Sequence, residues 1–478
     1  MDDHKLKKNR MMLYGLAGIG DNGSYSFVSS FLLFFLTSVQ NIPASAAGFI
    51  TFIGGAWNAI WGSVIGYISD HSHSKTGRRS PFIFAGGCIL FGSTILLFLD
   101  IDGPEVVAIV YYALICLLFW VGFSTFFIPY AAMGAEITSD YHERTVIKSY
   151  TSFFNIVGGI VGMTLPTWLV STFEERGATT ENAWCITSIV VATIVSTSIF
   201  ITWGVTKETN DSESSHNIFF KNAEDTSQGI FRMIKELRQI ISLRPLQKLM
   251  ISGTIFLIAC TLVLSGRIYY LTCNLGLNGI VLSIIYFYFS LIGMMSLILV
   301  RSLSRTIGKK EAYLLCVIVA TAISVFFGVH GINNIAEVLI FFFFIGIVNN
   351  AYWLLIPSMI YDVSEVDEYK YGMRREGLIV SAQSFCEALS AAFASLLLGF
   401  ILQLAGYDGS EAVQSDTCLL WIRFSITIIP AVLYAISGAI MKSYPLSQSV
   451  FDELKVVLEK RKAGEEYSIS ENLKKALK

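Results

Sequence analysis

The chain has 478 residues, of which 54% are hydrophobic and 15% charged, with a formal net charge of −2 and a mean hydropathy of +0.60. This composition is too apolar for a soluble globular domain, in which about 25% of residues are charged. The net charge by itself says nothing about nucleic acid, which is not among the expected partners. We expect a polytopic membrane protein that is surrounded by lipid bilayer.

Twelve apolar stretches are each long enough to cross a bilayer as a helix, which takes roughly 20 residues. The first of them follows a polar N-terminus and is too long for the core of a cleavable signal peptide, so we expect it to stay as the first membrane helix. The predicted spans, numbered 1 to 12, cover residues 11–39, 45–69, 82–99, 105–135, 145–172, 183–204, 247–272, 279–300, 311–329, 334–361, 377–404 and 419–441.

The positive charges predict which side of the membrane each loop occupies. All of the 34 Lys and Arg residues except Arg176, Arg267 and Arg423 lie at the N-terminus, in the loops that follow even-numbered spans, or in the C-terminal tail. Cytoplasmic loops are enriched in Lys and Arg, so both termini are predicted to be cytoplasmic. The expected location is the cell membrane, specifically the inner membrane of a bacterium or an archaeon.

A long polar segment, residues 206–246, divides the twelve spans into two sets of six. The two sets also resemble each other: span 4 contains Ile128-Pro129 followed by Glu136, and span 10 contains Ile356-Pro357 followed by Asp362. Internal duplication of this kind is typical of secondary transporters. The predicted domains are a cytoplasmic N-terminus (1–10), an N-terminal bundle (11–205), a central loop (206–246), a C-terminal bundle (247–441) and a cytoplasmic tail (442–478).

The loop between spans 2 and 3 contains Asp70 and then Gly-Arg-Arg-Ser-Pro at residues 77–81, which resembles the signature loop of the major facilitator superfamily. Two further stretches narrow the resemblance. Residues 128–159, with Asp-Tyr-His-Glu-Arg-Thr, and residues 360–399, with Arg-Arg-Glu-Gly, are similar to loops of the glycoside-pentoside-hexuronide:cation symporter family. The resemblance implies an all-α fold of 12 transmembrane helices in two six-helix bundles, and alternating-access transport of a sugar, glycoside or sugar acid together with a cation.

The resemblance implies a cation site of carboxylates between spans 1, 2 and 4, and this chain departs from that pattern. It has Asn58 where the family has an Asp in span 2, and Phe127 where the family has an Asp before Ile-Pro in span 4. The coupling ion could therefore be Na⁺ bound by Asp21 with amide and hydroxyl oxygens, or H⁺ on a buried carboxyl. A third alternative is transport that is not coupled to either of these ions. The candidate coupling residues are Asp21, Asn22, Asn58 and Glu387.

Two structural alternatives apply to the carboxyls. Asp21 could be a packing partner of Asn58, and Glu387 could be an ion-pair partner of Arg267 or Arg423.

Sugars are commonly bound by an aromatic face and a few polar groups that fix their orientation. Trp57 and Trp61 are four residues apart, which places both on one face of span 2. Any single aromatic residue could instead face lipid. The candidate substrate-binding residues are Trp57, Trp61, Tyr25, Tyr130, Asn349, Trp353 and Arg267.

Charged residues near the predicted cytoplasmic ends of the spans match the charged loops of the family. We expect ion pairs between the two bundles that stabilise the outward-facing state, although each charge could also serve only to set the topology. The candidate cytoplasmic gate consists of Asp70, Arg78, Arg79, Glu136, Arg144, Asp362, Glu365, Arg374 and Arg375.

The leading interpretation is a monomeric secondary transporter of a small hydrophilic molecule. A lipid or amphiphile carrier of the same fold, and a membrane sensor that transports nothing, are alternatives. No enzyme activity, catalytic residue, structural metal or cofactor is expected, apart from Na⁺ or H⁺ as the coupling ion, because the sequence has no metal-ligand cluster, nucleophile elbow or phosphate loop.

Overall fold

The computed structural model describes residues 8–70, 72, 74, 77–101, 103–136, 141–207, 238–372, 375–411, 413–463, 466, 468–471, 473 and 474. Over these residues the secondary structure is helical, with no strand. The helices coincide with the predicted spans. Spans 1 to 6 are formed by Lys8–Gly15 with Ala17–Phe34 and the π-helical turn Phe35–Val39 (span 1), Ala44–Asp70 (span 2), Ser80–Leu97 (span 3), Glu105–Glu136 (span 4), Tyr141–Gly159 with the π-helical turn Ile160–Thr164 and Leu165–Glu175 (span 5), and Thr180–Lys207 (span 6). Spans 7 to 12 are formed by Arg244–Tyr269 with the π-helical turn Tyr270–Asn274 (span 7), Gly279–Ile307 (span 8), Lys309–His330 (span 9), Ile335–Tyr371 (span 10), Glu376–Leu404 (span 11), and Asp416–Ile426 with Ile428–Lys442 (span 12). A tail helix covers Gln448–Ala463.

Eleven helices in the described part of the chain are long and apolar enough to cross a membrane. Span 1 is helical at the predicted place but is not among the eleven, because Asp21, Asn22 and several serines and glycines lower its mean hydropathy. The serines do not face lipid: the exposed fractions of Ser24 and Ser26 are 1% and 2%. Span 1 is therefore a helix whose polar residues pack against other helices, as expected for intramembrane polar groups.

Local sequence chemistry accounts for several helix ends. Pro81 lies in the first turn of span 3, where its missing N–H costs no helical hydrogen bond. Asn334 caps span 10 by accepting a hydrogen bond from the Glu337 backbone N–H at 2.9 Å. The same helix ends at Gly372, whose φ of 68° is left-handed.

The chain divides into two compact units. The first contains residues 1–217, 264–290 and 392–423, and the second contains residues 218–263, 291–391 and 424–478. The first unit thus includes spans 1 to 6 together with the parts of spans 7, 8, 11 and 12 that flank the 7–8 and 11–12 connections. These connections, with the 1–2 and 5–6 connections, define what we call the odd-loop end.

Within the first unit, span 1 packs closely on span 5. A Cβ added at Gly18 would lie 2.7 Å from the Thr151 carbonyl oxygen and 2.9 Å from the Asn155 nitrogen, so only glycine fits without movement of the backbone. This contact brings the polar middle of span 1 against span 5.

Hydroxyl contacts join helices at the odd-loop end of the first unit. The Thr37 hydroxyl lies 2.7 Å from the Tyr269 hydroxyl, which connects span 1 to span 7. The Ser38 and Tyr407 hydroxyls are also 2.7 Å apart, and they connect span 1 to the 11–12 loop. Thr167 donates to Ser283 at 3.0 Å, which connects span 5 to span 8. Helices of both predicted bundles are thus held together here by neutral hydrogen bonds.

In the second unit, the tail helix packs on span 10. The apolar residues that recur at helical spacing in the tail helix are buried: Phe451, Leu454, Val457 and Leu458. Arg461 donates to the Tyr369 carbonyl oxygen at 2.7 Å near the end of span 10. Of the predicted central loop, residues 238–241 lie within the described part and are helical.

Candidate functional site

An aromatic pair lies in the middle of span 2. The rings of Trp57 and Trp61 are nearly parallel, at an interplanar angle of 13° and a centroid distance of 6.4 Å. The Trp61 indole nitrogen donates to the Thr125 hydroxyl of span 4 at 3.2 Å, which fixes that ring. Trp57 is 38% exposed. The four-residue spacing therefore produces an ordered aromatic surface, and part of it is accessible.

The other aromatic candidates of the first unit differ in exposure. The Tyr25 ring is half-buried and lies edge-on to Trp120, with centroids 5.9 Å apart. Tyr130 is 3% exposed, because it stacks on Tyr14 at 4.8 Å and its backbone oxygen accepts a hydrogen bond from the Tyr14 hydroxyl at 2.5 Å. In this conformation Tyr130 joins span 4 to span 1, and Tyr25 is the better placed of the two for a ligand.

The polar candidates of spans 1 and 2 form separate hydrogen-bond groups. Asn22 donates to the Asn155 backbone oxygen at 2.7 Å and accepts from Ser26 at 2.8 Å. The Asn155 side-chain nitrogen, in the orientation that gives both ends of the amide a partner, donates to Asp21 Oδ2 at 3.1 Å. Asn58 accepts from Ser124 of span 4 at 2.5 Å. These bonds connect Asp21 to span 5 and Asn58 to span 4.

Arg267 of span 7 is 2% exposed and is surrounded by neutral groups of the first unit. Its guanidinium carbon lies 4.2 Å from the Tyr286 ring centroid and 4.7 Å from that of Phe289. Its Nη2 atom donates to the Met163 sulfur at 3.2 Å. The Nε and Nη1 atoms have no hydrogen-bond partner in the part of the chain that the structure describes.

The remaining inner candidates lie in the second unit. The Glu387 carboxylate of span 11 accepts from the Tyr352 hydroxyl at 3.1 Å and from the Gln383 amide at 2.7 Å, so both donors are neutral. Trp353 is 49% exposed, and its ring lies edge-on to Tyr352 at 5.4 Å. Asn349 is half-buried on span 10.

Two of the gate candidates form ion pairs within the second unit. Arg375 donates to Asp367 from Nη2 at 2.6 Å and from Nε at 3.0 Å, and its Nη1 donates to Gln239 at 3.0 Å. Asp362 pairs with Lys309 at 2.6 Å. The expected pairing between the two bundles stays a prediction.

The other gate candidates are less fully described. Arg79 is 7% exposed at the start of span 3, next to the half-buried Arg78, and Glu365 is half-buried on span 10. Asp70, Glu136 and Arg144 are in helices, but their side chains are not among those that the structure describes. Arg374 lies outside the described residues altogether.

Sequence reasoning missed several partners of the candidate residues. Asp367 lies within residues 360–399, one of the two stretches that resemble the symporter family, and Lys309 lies in the loop after span 8. Tyr352 and Gln383 are ordinary residues of apolar spans, and no sequence pattern marks them as Glu387 partners. Met163 and Tyr286 likewise become neighbours of Arg267 only through the packing of spans 5, 7 and 8.

The helices, the embedded polar groups and the partly exposed aromatic pair define a multi-pass membrane carrier rather than a soluble or single-span protein. Residues 13–448 match the sequence profile of the MFS/sugar transport protein family. The chain belongs to this family, and the predicted family and major facilitator fold are confirmed.

Proteins of similar sequence include bacterial carriers. The chain is 22% identical to the glucuronide carrier protein homolog of Escherichia coli, over 96% of this chain and 97% of that protein. It is 21% identical to the isoprimeverose transporter of Lactiplantibacillus pentosus, over 91% and 88% of the two chains. These relatives and the eleven spans confirm a multi-pass inner-membrane protein.

Solved structures share the fold. The inward-open xylose transporter XylE of E. coli superimposes with a TM-score of 0.64 at 12% identity, covering 94% of this chain and 98% of that one. At this identity the likeness concerns the fold alone.

Proposed function

We propose that the chain is a cation-coupled symporter that carries a glycoside or sugar acid across the membrane by alternating access. The observation on which the sugar assignment depends is the parallel Trp57–Trp61 pair, which is fixed by Thr125 and partly exposed. A flat aromatic surface with polar groups beside it is suited to the apolar face of a sugar ring. Asn58, one position from Trp57, supplies such a polar group and is held by Ser124.

The names of the relatives agree with this assignment. They include a glucuronide carrier homolog, a raffinose carrier and an isoprimeverose transporter. All three names refer to sugars or sugar acids, which supports a carbohydrate substrate for this chain.

We further propose that the coupling ion is H⁺ and that Glu387 accepts it. The Tyr352 and Gln383 donors beside this carboxylate are neutral, so protonation would not break an ion pair with either of them. A carboxyl in a low-dielectric setting is the usual proton carrier in transporters. Asp21 is the second candidate, and its carboxylate accepts a hydrogen bond from the neutral Asn155 amide at 3.1 Å.

The conformational part of the proposal concerns the odd-loop end, which we assign to the outside of the cell from the Lys and Arg distribution. The Thr37–Tyr269 and Ser38–Tyr407 contacts are hydrogen bonds between neutral groups, so the loss of each costs on the order of 1 kcal/mol. A substrate and a proton together can supply that energy.

Counterflow in proteoliposomes tests the sugar assignment. Vesicles loaded with an unlabelled glycoside should take up the labelled glycoside without any ion gradient. The panel is methyl β-glucoside, methyl β-xyloside, methyl α-galactoside and methyl β-glucuronide.

Trp57→Ala should abolish the counterflow that the wild type shows. Trp168→Ala, at a 46% exposed position of span 5, is the matched control and should preserve it. Counterflow that survives Trp57→Ala unchanged would contradict the proposed binding surface.

A further inference from the structure

Arg267 is a buried cation with no acidic side chain among its contacts in the part of the chain that the structure describes. It is 2% exposed, its Nε and Nη1 atoms lack hydrogen-bond partners among the described residues, and its Nη2 atom has only the Met163 thioether sulfur, which is a weak acceptor. A buried, unpaired charge is costly, so such groups are normally paired with an opposite charge.

The aromatic rings beside Arg267 supply only some of the interactions that a guanidinium group can make. Tyr286 and Phe289 lie near the guanidinium at 4.2 and 4.7 Å and offer cation–π attraction. The Tyr286 hydroxyl also interacts with the guanidinium, but both neighbouring side chains are neutral and do not balance its positive charge.

Arg375 of the same chain shows which partners a buried structural arginine has: a carboxylate and further hydrogen-bond acceptors. It is also largely buried, and it donates to both oxygens of Asp367 and to Gln239. Arg267 has the burial of a structural arginine without a carboxylate among its described contacts. A ligand that brings a carboxylate would give Arg267 the partner that Asp367 gives Arg375.

We propose that Arg267 binds the carboxylate of the substrate, and that the transported sugar is therefore a sugar acid or its glycoside rather than a neutral sugar. The inference rests on the proposed function. The hydroxyl groups of a neutral sugar could accept hydrogen bonds from Nε and Nη1, but they would leave the charge unbalanced. A carboxylate is ionised at neutral pH and supplies both acceptors and the opposite charge.

Two probes that differ only at one carbon test the proposal: 4-nitrophenyl β-D-glucuronide, which has a carboxylate, and 4-nitrophenyl β-D-glucoside, which has a hydroxymethyl group there. Binding to the purified full chain is measured by calorimetry. The wild type should bind the glucuronide on the order of 10- to 100-fold more tightly than the glucoside, the range expected for a charge-assisted hydrogen bond.

Arg267→Gln should weaken glucuronide binding by about that factor and change glucoside binding by less than about 2-fold. Arg267→Lys, which keeps the charge, should retain part of the preference. Tyr286→Phe removes the neighbouring hydroxyl without changing charge and should weaken the glucuronide by roughly 3- to 10-fold. If Arg267→Gln does not fold, the lysine and phenylalanine variants still test the preference.

Equal effects of Arg267→Gln on both probes, or a wild type that prefers the glucoside, would overturn the anion assignment. A wild type that transports neutral glycosides but not glucuronides overturns this inference and leaves the proposed function intact. A wild type that transports no sugar of either kind overturns both.

Charge movement gives a second readout. A glucuronide that enters with one H⁺ produces no net current, whereas a neutral glycoside that enters with one H⁺ is electrogenic. Wild-type proteoliposomes on a solid-supported membrane should show glucuronide uptake with little current. A large inward positive current during glucuronide uptake contradicts one-to-one transport of an anion with a proton.

Discussion

Removing one partner of the buried ion pair between Arg375 and Asp367 should strongly destabilise the second unit. The Asp367 side chain has no exposed surface and the Arg375 side chain is 9% exposed. Two N–H···O bonds of 2.6 and 3.0 Å join the two side chains. Asp367→Asn keeps the shape and removes the negative charge that accepts both of these Arg375 hydrogen bonds. Loss of one partner of a buried pair costs about 3–5 kcal/mol.

The assay is the free energy of unfolding of the purified protein, measured by denaturant titration in detergent. The matched control is Asp408→Asn: Asp408 is exposed and accepts hydrogen bonds from Ser410, so its replacement should change the free energy by about 0.5 kcal/mol or less. The double variant Asp367→Leu with Arg375→Leu should recover much of the loss, because no unpaired charge stays buried. An Asp367→Asn variant within about 1 kcal/mol of wild type would refute this reasoning.

Three further predictions follow from the packing and the proposed mechanism. Gly18→Val should lower the free energy of unfolding by about 1–3 kcal/mol or more, because its Cβ meets span 5 backbone at 2.7 Å, and a denaturant titration would show whether it does. Glu387→Gln should abolish uphill accumulation and preserve counterflow, and accumulation equal to wild type in the same vesicles would exclude Glu387 as the proton acceptor. Thr37→Cys with Tyr269→Cys, joined by a short bifunctional thiol reagent, should block counterflow until the cross-link is reduced, whereas unchanged counterflow would show that this contact does not open.

The positions of the membrane helices could be predicted from the sequence, because bilayer-length apolar runs specify where helices lie. The errors are at helix ends. Span 10 was predicted to end at residue 361, but the helix continues to Tyr371. Hydropathy falls at Asp362, whereas the helix itself persists until Gly372 supplies a left-handed residue.

The candidate site could be predicted only where local spacing decides the geometry. The Trp57–Trp61 contact follows from helical periodicity. The burial of Tyr130 does not, because it depends on how closely span 1 approaches span 4. The ion-pair partner of Arg375 could not be predicted from the sequence either. Asp367 is only eight residues away along the chain, and charge alone does not distinguish this local pair from an ion pair between the two bundles.

The central claim is that sugar and cation movement are coupled in one chain. The most direct measurement records external pH or sodium activity around proteoliposomes while a glycoside flows inward down its own gradient. The account predicts that external pH rises when sugar is added, in proportion to sugar uptake, and that Glu387→Gln abolishes the rise without stopping downhill uptake. Sugar uptake with no accompanying movement of H⁺ or Na⁺ would contradict the account.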